Sequence, residues 1–306
     1  MKIACENIDR LVNVGIRPPG MPRSAMNQLY DAAKGENAVS YDVAQALLAQ
    51  PQAKVAIFTG ASVPEHLPNG ENDGPMGAIV LGRALERLGY DVTIFTEAEV
   101  IPAQEAFAAL LGSEVRIEEL LRDPTPQHAA IAADYDVGIT VEKAGGNTEG
   151  LLHSINANPR SHTRANIDAL INAMNDAGKL TVGIGDGGNE IGFGKVYDLA
   201  SQILPYGDTI VTTVATTHAY PVAISNWGGY ALAAALAIGA ERPELAIDPE
   251  DEKAMLEKAI ELDCRDGGTG KAVFAVDGVS GESSMAYVRL LKEIVTATLT
   301  PFTRDF

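Results

Sequence analysis

Short apolar runs alternate along the chain with longer segments that have helical spacing. The apolar runs are rich in β-branched and aromatic residues, which is typical of buried strands. The segments between them place apolar residues three or four positions apart, which predicts amphipathic helices. The strands are predicted at residues 54–59, 91–96, 137–141 and 209–218 and in a run ending at 182, and the helices between them at 76–88, 103–111, 127–133, 167–177 and 197–204.

This alternation of strands and helices predicts the fold class. A strand, a crossover helix and a second strand in the same direction build a mostly parallel sheet with helices on both faces. We therefore expect a Rossmann-like three-layer α/β fold that forms a single domain over residues 1–306. We find no internal repeat and no obvious linker in the sequence.

An amino-terminal helical segment is predicted ahead of this pattern. Residues 1–50 have helical spacing, and the run Pro18-Pro19-Gly20 breaks the first helix. We assign no chemistry to this addition and expect it to be a lid or a packing layer.

The carboxy-terminal part is expected to contain a long buried helix. Pro221 is placed to begin it, and the stretch that follows is apolar on all sides, as in a helix inside a core. Ser225 and Asn226 near its front are candidates for ligand contact. The chain is then predicted to continue with a helix at 251–262, a strand at 272–276 and a helix from 283 to about 297.

A glycine-rich turn at residues 183–196 concentrates polar groups between a strand and a helix. It contains Asp186, Asn189, Glu190 and Lys195 among six glycines. Glycine lets the backbone turn sharply and approach a ligand closely. A strand-to-helix turn of this kind lies at the carboxyl edge of a parallel sheet, where α/β proteins bind ligands.

Two other strand ends also carry acidic side chains. The loop after the first strand contains Glu71, Asn72 and Asp73, and Glu142 and Lys143 follow another strand. Asp73 can equally be interpreted as the cap of the helix behind it. The first loop has neither the G-x-G-x-x-G pattern nor the phosphate-binding lysine of nucleotide sites. We therefore expect these acids to converge on a ligand that is not a nucleotide.

The composition of the chain excludes several classes of binding partner. The net charge of −18 and the sequence pI near 4.6 argue against nucleic acid or an anionic membrane as a partner. Cys5 and Cys264 provide neither metal-ligand spacing nor a disulfide framework. The acidic amino terminus is unlike a signal peptide, and no apolar stretch is long enough to span a bilayer. We expect a cytoplasmic protein that binds a small molecule, and the sequence leaves open a homo-oligomer.

Taken together, these motifs resemble the D-glutamate cyclase family. They occur in the family's order and extend over essentially the whole chain. The run Gly-Asp-Gly-Gly-Asn-Glu-Ile-Gly, combined with Ser-Asn-Trp-Gly-Gly-Tyr-Ala-Leu, is the specific part of the match. The motifs lie at residues 59–60, 71–78, 142–145, 185–192, 225–232 and 276–278.

The resemblance implies a carbon–oxygen lyase that converts D-glutamate to 5-oxo-D-proline with loss of water. Three places depart from the family pattern. Lys143 stands where an arginine is expected, Phe193 where a methionine is expected, and residues 149–156 lack aromatic residues after the acid-glycine pair. A guanidinium and an ammonium are not interchangeable at a carboxylate-binding position, so these changes bear on the substrate rather than on the fold.

This chemistry assigns roles to the acids. Lactam formation needs an unprotonated amine as nucleophile, a protonated departing oxygen and a stabilised oxyanion. Neighbouring carboxylates raise one another's pKa, so that one can act as acid or base near neutral pH. We expect Asp186 and Glu190 to include the acid/base pair, and Glu142 or Asp73 to help bind the ammonium group.

The remaining candidates are expected to bind substrate. Backbone N–H groups of glycines and an amide side chain can hold a carboxylate or the oxyanion, and basic side chains can balance a dicarboxylate. The candidate substrate-binding residues are Glu71, Asn72, Lys143, Gly187, Gly188, Asn189, Lys195, Ser225 and Asn226, with Arg164 as a further counter-charge.

A metal ion is the alternative to a purely protein-based mechanism. Asp73, Glu142, Asp186 and Glu190 offer the oxygen ligands that Mg²⁺, Mn²⁺ and Ca²⁺ prefer, and such an ion would polarise the γ-carboxyl group. Two other functions also remain open. The chain can be a lyase or hydrolase for another amino-acid-like dicarboxylate or its lactam, or a non-catalytic small-molecule binding protein.

Overall fold

A sheet of six parallel strands forms the centre of the molecule. The computed structural model describes residues 1–19, 24–60, 62–123 and 126–304, and helices flank the sheet on both faces. The predicted three-layer α/β fold is therefore confirmed. The strands are β1 (Lys54–Phe58), β2 (Asp91–Thr96), β3 (Arg116–Glu119), β4 (Val137–Val141), β5 (Leu180–Gly185) and β6 (His218–Pro221), in the order β3-β2-β1-β4-β5-β6.

Alternate side chains of each inner strand enter different cores, as the period of a strand requires. On β1, Val55 and Ile57 join the large apolar cluster on one face. Ala56 and Phe58 join a smaller cluster on the other face. All four side chains are fully buried, so the sheet is covered on both faces, which is the usual state of parallel sheets.

Twelve helices are present in the described residues. They are α1 (Lys2–Val12), α2 (Ser24–Ala33), α3 (Val39–Leu48), α4 (Pro75–Arg87), α5 (Ile101–Leu111), α6 (Pro126–Asp134), α7 (Asp168–Asp176), α8 (Tyr197–Ile203), α9 (Gly207–Ile210), α10 (Ser225–Gly239), α11 (Pro249–Glu261) and α12 (Gly281–Leu299). The helices that pack in the large cluster include α1, α3 and the long apolar helix α10, whereas α6 and α7 cover the other face of the sheet.

The strand predicted at 209–218 is wrong. Residues 207–210 form the short helix α9, and only His218 from that stretch belongs to β6. The threonines in between bind loops instead of a neighbouring strand. The Thr212 hydroxyl donates to the Gly146 carbonyl at 3.0 Å, and the carbonyl of Val214 accepts from the N–H groups of Gly192 and Gly194. The β-branched run therefore supports the glycine-rich turn.

Two further elements differ from the pattern. Strand β3 was not predicted because it has the sequence Arg-Ile-Glu-Glu at the edge of the sheet and is largely exposed. The strand predicted at 272–276 is reduced to β7 (Ala275–Val276), which pairs antiparallel with β8 (Val279–Ser280) outside the main sheet. The first difference arises because solvent exposure removes the apolar alternation on which strand prediction rests. The second arises because the turn at 277–278 pairs residues 275–276 with 279–280 instead of with a strand of the main sheet.

The start of helix α10 was also misplaced. Pro221 ends β6, and α10 begins four residues later at Ser225. The front of α10 crosses α4 at very short range. A Cβ on Gly229 would lie 2.5 Å from the carbonyl oxygen of Gly77, and a Cβ on Gly77 would lie 2.7 Å from Cα of Asn226. Glycine is required here for the close approach, which brings the first turn of α10 against the loop that precedes α4.

Two of the amino-terminal helices, α1 and α3, are part of the main core, and α2 packs in a smaller cluster. Cys5 and Ile8 of α1 and Leu47 of α3 are fully buried in the large cluster, as a packing layer would be. None of the described helices is both long and apolar enough to cross a membrane, and the cytoplasmic location stays a prediction.

Candidate active site

The acidic loops meet where the strand order reverses. Strands β1 and β4 are neighbours, with β2 and β3 on one side and β5 and β6 on the other. In open α/β sheets such a switch point forms a crevice outside the carboxyl ends of the strands. The loops after β1, β4 and β5 carry the predicted acids, so the topology brings them to one place.

Three of these acids form a compact cluster. Asp73, Glu142 and Asp186 each place a carboxylate oxygen within 4.8 Å of the others. Asp73 and Asp186 are almost completely buried. The predicted convergence is therefore observed for these three side chains.

The first turn of α10 holds the cluster. The Ser225 N–H donates to Asp73 Oδ2 at 3.2 Å and to Asp186 Oδ2 at 3.0 Å. The Asn226 N–H donates to Asp73 Oδ1 at 2.7 Å, and the Ser225 hydroxyl donates to Glu142 Oε2 at 2.5 Å. The free N–H groups and partial positive charge of a helix amino terminus favour anions. Asp73 is thus a cap, although for α10 rather than for α4.

Glu142 reaches the cluster through a strained backbone. Its φ of 54° lies in the left-handed region, which costs a non-glycine residue free energy and is held only by its surroundings. Gly74 packs directly against it, because a Cβ on Gly74 would lie 2.7 Å from the Glu142 Cβ. The chain thereby turns the carboxyl group of Glu142 toward Ser225.

Arg17 is the most important site residue that the sequence pattern did not indicate. Its Nη1 donates to the Asp186 carbonyl at 3.0 Å and lies 3.2 Å from Asp186 Oδ1, while Nη2 pairs with Asp277 Oδ2. The neighbouring Pro18 packs against Gly278. The amino-terminal segment therefore supplies a buried cation to the site, and the expectation that it carries no chemistry is wrong. A single arginine before two prolines gives no periodic signal by which it could have been found.

Asp277 was also missed as a site residue. It belongs to the Val276-Asp277-Gly278 motif, but the sequence alone gave it no role. The turn between β7 and β8 places it with a φ of 52°, and its carboxylate faces Arg17. The small hairpin that replaces the predicted strand therefore serves to position this carboxylate.

Burial and mutual repulsion raise the pKa values of the acids. Burial, with Asp277 nearby, raises the pKa of Asp73 to about 7. Burial also raises the pKa of Glu71 to about 8, although Arg164 opposes the shift. The pKa values of Glu142 and Asp186 lie well above their usual range for the same reason, and Arg17 partly offsets the shift at Asp186. Groups of this kind can hold or release a proton near neutral pH.

A cavity of about 380 Å³ opens beside the cluster, within the range of about 300–1,000 Å³ typical of ligand sites. Acids, Arg17 and two further arginines contribute to its lining. Its polar lining consists chiefly of Arg17, Glu71, Glu142, Asn156, Asn158, Arg160, Arg164, Asp186, Asn189 and Asp277, with the loop 267–270 beside them.

Glu190 has a different place from the one predicted. Its Oε1 accepts from the Gly187 N–H at 3.0 Å, and its Oε2 accepts from the Gly188 N–H at 2.8 Å. The two N–H groups that were expected to bind substrate are thus used within the turn. Glu190 is not among the residues that line the cavity, and its contacts fix the backbone that carries Asp186.

The predicted lysines do not reach the cavity. Lys143 Nζ pairs with Glu97 Oε1 at 2.5 Å, and both side chains are completely buried. Lys195 is exposed, and its Nζ donates to the carbonyl of Thr217 at 2.6 Å. Each ammonium group thus binds a partner outside the cavity, the carboxylate of Glu97 for Lys143 and the carbonyl of Thr217 for Lys195.

Of the three predicted asparagines, two hold loops of the site together and one lines the cavity. Asn226 Oδ1 accepts from the N–H groups of Gly74 and Gly77 at 2.9 and 2.7 Å. Asn72 donates to the carbonyl of Ala275 at 2.8 Å. Both hold the site loops together. Asn189, in contrast, lines the cavity while its Nδ2 donates to the carbonyl of His153.

The described residues also allow a metal ion to be placed on chemical grounds. Asp73, Glu142 and Asp186 together offer the oxygen donors that suit Mg²⁺, Mn²⁺ or Ca²⁺. Arg17 already lies beside Asp186 as a counter-charge, so the cluster has a cationic partner of its own. Glu190, the fourth predicted ligand, is held by the glycine N–H groups instead.

Comparison with known proteins identifies relatives of this chain. Residues 27–292 match the family described as "D-glutamate cyclase-like, C-terminal". The chain is also 27% identical over 274 residues to a human protein named "D-glutamate cyclase, mitochondrial". This match covers 76% of the chain and 44% of the human protein, so the chain spans less than half the length of that relative. Arg17 lies ahead of residues 27–292, which match the family.

We predict that replacing Arg17 by methionine destabilises the protein strongly at pH 8. Removing one partner of a buried ion pair typically costs about 3–5 kcal/mol, because the other charge stays buried without compensation. The loss should shrink at pH 5, where Asp186 and Asp277 can take up protons. Urea unfolding at both pH values measures the effect. Arg10→Met, at an exposed position of α1, is the control, and an equal loss in both variants would contradict the role of Arg17.

We predict that Glu71→Gln makes the protein more stable at high pH. The pKa of Glu71 is about 8 in the folded protein against an ordinary value of 4.5, so the folded state holds a proton that the unfolded state has lost. Stability should therefore fall as the pH rises from about 5 to 8. The variant should unfold at a higher temperature than the wild type at pH 9 and at the same temperature at pH 5.

A thermal unfolding series from pH 5 to pH 9 tests this expectation. A gap of at least ~3 °C at pH 9 is expected, because ~1 kcal/mol moves the midpoint by about 2–4 °C in chains of comparable size. Glu65→Gln, at an exposed position of the same loop, should follow the wild type throughout. Parallel curves for wild type and Glu71→Gln would show that burial of this carboxyl has no energetic consequence.

Proposed function

The chain belongs to the D-glutamate cyclase-like family, and we propose that it removes water from D-glutamate to form 5-oxo-D-proline. The observation that carries the proposal is the pair of carboxyl groups, Asp186 buried and Glu142 half-buried, that line one cavity beside Arg17. The human relative is named for this activity. Because the chain spans 44% of that relative, the activity of the whole human protein comes to this chain only as a proposal.

The proton balance of the reaction fits a cluster of carboxyl groups. The ammonium nitrogen of D-glutamate loses two protons and forms a bond to the γ-carbon. One γ-carboxyl oxygen gains two protons, breaks its bond to that carbon and leaves as water. No proton is exchanged with solvent overall, so the site must accept protons from nitrogen and deliver protons to oxygen. Carboxyl groups with pKa values near neutrality can do both.

The surroundings of the two carboxyl groups assign their roles. Asp186 has Arg17 at 3.2 Å and the Ser225 N–H at 3.0 Å. Arg17 offsets part of the rise in the pKa of Asp186 that burial causes, so Asp186 ionises more readily than an equally buried carboxyl group without a cation beside it. The ionised form is the one that accepts a proton from the ammonium group. Burial and the several acids around Glu142 favour its neutral form. The hydrogen bond that the Ser225 hydroxyl donates to Glu142 Oε2 opposes this only in part. We therefore assign Asp186 as the base and Glu142 as the acid toward the departing oxygen.

This assignment replaces Glu190 in the predicted acid/base pair. Both carboxylate oxygens of Glu190 accept N–H groups of its own turn, which favours the ionised form and a supporting role. Asp73 lies in the cluster but not along the cavity and is held by the first turn of α10. Besides burial, the negative charge of Asp73 raises the pKa values of Glu142 and Asp186. Asp73 therefore favours a proton on these two groups and does not contact the substrate itself.

A divalent ion at Asp73, Glu142 and Asp186 stays part of the proposal as the alternative source of polarisation. It would withdraw charge from the γ-carboxyl group in place of the acid. Assaying the protein before and after exhaustive chelation separates the two versions. Unchanged turnover after chelation would remove the metal from the mechanism.

We predict that purified protein forms 5-oxo-D-proline from D-glutamate and that Asp186→Asn lowers this turnover by about 10²–10⁴-fold, which is the usual contribution of a general acid or base. NMR spectra distinguish the open chain from the lactam ring directly. Asp198→Asn, at an exposed position of α8, should retain wild-type activity. The unfolding temperature of each variant shows whether the fold is intact.

The outcomes separate the alternatives. Near-normal activity of Asp186→Asn would remove Asp186 from the mechanism. Turnover of L-glutamate or of another dicarboxylate, without turnover of D-glutamate, would identify a related lyase with a different substrate. Stabilisation by these compounds without any turnover would identify a binding protein.

A further inference from the structure

Two arginines form a wall of the cavity that the acid chemistry does not use. Arg160 and Arg164 lie one turn apart, and the Arg164 N–H donates to the Arg160 carbonyl at 3.1 Å. Arg164 is only 8% exposed, and both side chains line the cavity that Glu142 and Asp186 also line. The cavity is therefore lined by both acids and arginines, and we call Arg160 and Arg164 together its basic wall.

Both guanidinium groups have hydrogen-bond donors that no atom in the described part of the chain accepts. The Nε atoms of Arg160 and Arg164 are buried without a hydrogen-bond partner, and within the described residues neither side chain forms an ion pair. Arg160 is half-buried and its Nη1 donates to the carbonyl of Pro159 at 3.3 Å, whereas Arg164 is buried, and a buried cation without an ion-pair partner is costly. Glu71 is close enough for Arg164 to oppose the rise in its pKa that burial causes, but within the described residues no carboxylate forms a salt bridge with either arginine. This arrangement points to an anionic ligand beside Arg164.

The position of Arg164 is fixed by the pair that includes Lys143. The N–H of Ala165, the next residue, donates to Glu97 Oε1 at 3.0 Å, and the same oxygen accepts from Lys143 Nζ. The loop is further held by the Arg160 N–H, which donates to the carbonyl of Leu152 at 2.8 Å. Lys143 thus anchors the basic wall instead of binding the ligand itself, which gives this departure from the family pattern a structural role.

We propose that Arg164, assisted by Arg160, binds the α-carboxylate of the substrate and that this contact selects α-amino dicarboxylic acids. This inference rests on the proposed function, and it adds the orientation of the substrate in the site. The γ-carboxyl group must be protonated to lose water, so it belongs beside the acids. A guanidinium favours the ionised form of a carboxylate and binds it in a bidentate manner, so it suits the carboxylate that the reaction leaves unchanged.

Arg164→Met tests the proposal with a pair of substrates. D-Glutamate has the α-carboxylate, whereas its α-carboxamide analogue has the same amine and γ-carboxyl group without that charge. The KM of the variant for D-glutamate should rise by about 10- to 100-fold, the worth of a hydrogen bond to a charged group, with a smaller change in kcat because the contact persists from ground state to transition state. The variant should treat the carboxamide as the wild type does.

Matched variants identify a merely structural effect. Arg164→Lys should recover part of the loss, because it restores the charge but not the bidentate geometry. Arg160→Met, at a half-buried position, gives a second reading if Arg164→Met does not fold. Arg116→Met, at an exposed position of β3, should behave as the wild type. Equal losses of Arg164→Met on both substrates, or no loss on either, would overturn the proposal.

A binding measurement separates this inference from the proposed function. The lactam 5-oxo-D-proline retains the α-carboxylate and needs no turnover to bind, so calorimetric titration reports on the basic wall alone. Binding that Arg164→Met weakens, in a protein without turnover of D-glutamate, would refute the proposed function and support the anion site. If the wild type turns over D-glutamate and Arg164→Met binds the lactam as tightly as the wild type does, the proposed function is supported and the anion site is refuted. Absence of both turnover and lactam binding would refute both.

Discussion

The burial of several carboxyl groups at one sheet edge is the constraint on which the rest of the site depends. Asp73, Glu142 and Asp186 come within 4.8 Å of one another, and such a cluster needs compensation inside a protein. Two sources supply it. The first turn of α10 donates N–H groups to Asp73 and Asp186, and Arg17 pairs with Asp186 and Asp277.

Much of the surrounding architecture follows from these two contacts. The first turn of α10 can reach the acids only because α10 and α4 cross at Gly77 and Gly229, where no side chain separates the helices. Arg17 can reach them because Pro18 packs on Gly278 in the small hairpin that carries Asp277. The amino-terminal addition and the carboxy-terminal hairpin are therefore both parts of the site, although they come from opposite ends of the chain.

The charge distribution is compatible with the proposed binding of an anion by an acidic protein. The net charge of −18 gives an unfavourable overall field for a dicarboxylate. Burial concentrates the opposing charges locally, where the attraction of Arg160 and Arg164 is little screened by solvent. The Lys143–Glu97 pair holds this basic wall in place, and Glu190 holds the turn that presents Asp186. Lys143 and Glu190, whose charges indicated ligand binding, thus position other residues of the site instead.

The sequence by itself determined the α/β class, the parallel core strands, the crossover helices and three acids of the cluster. Those features follow from local periodicity and from the rule that parallel strands present their ends at one edge. Only the tertiary structure decided that Arg17 and Asp277 complete the site, that Lys143, Lys195 and Glu190 do not face the cavity, and that residues 209–217 are not a strand. These outcomes depend on contacts between segments that are distant in the sequence. Such contacts produce no periodic pattern along the chain from which they could be predicted.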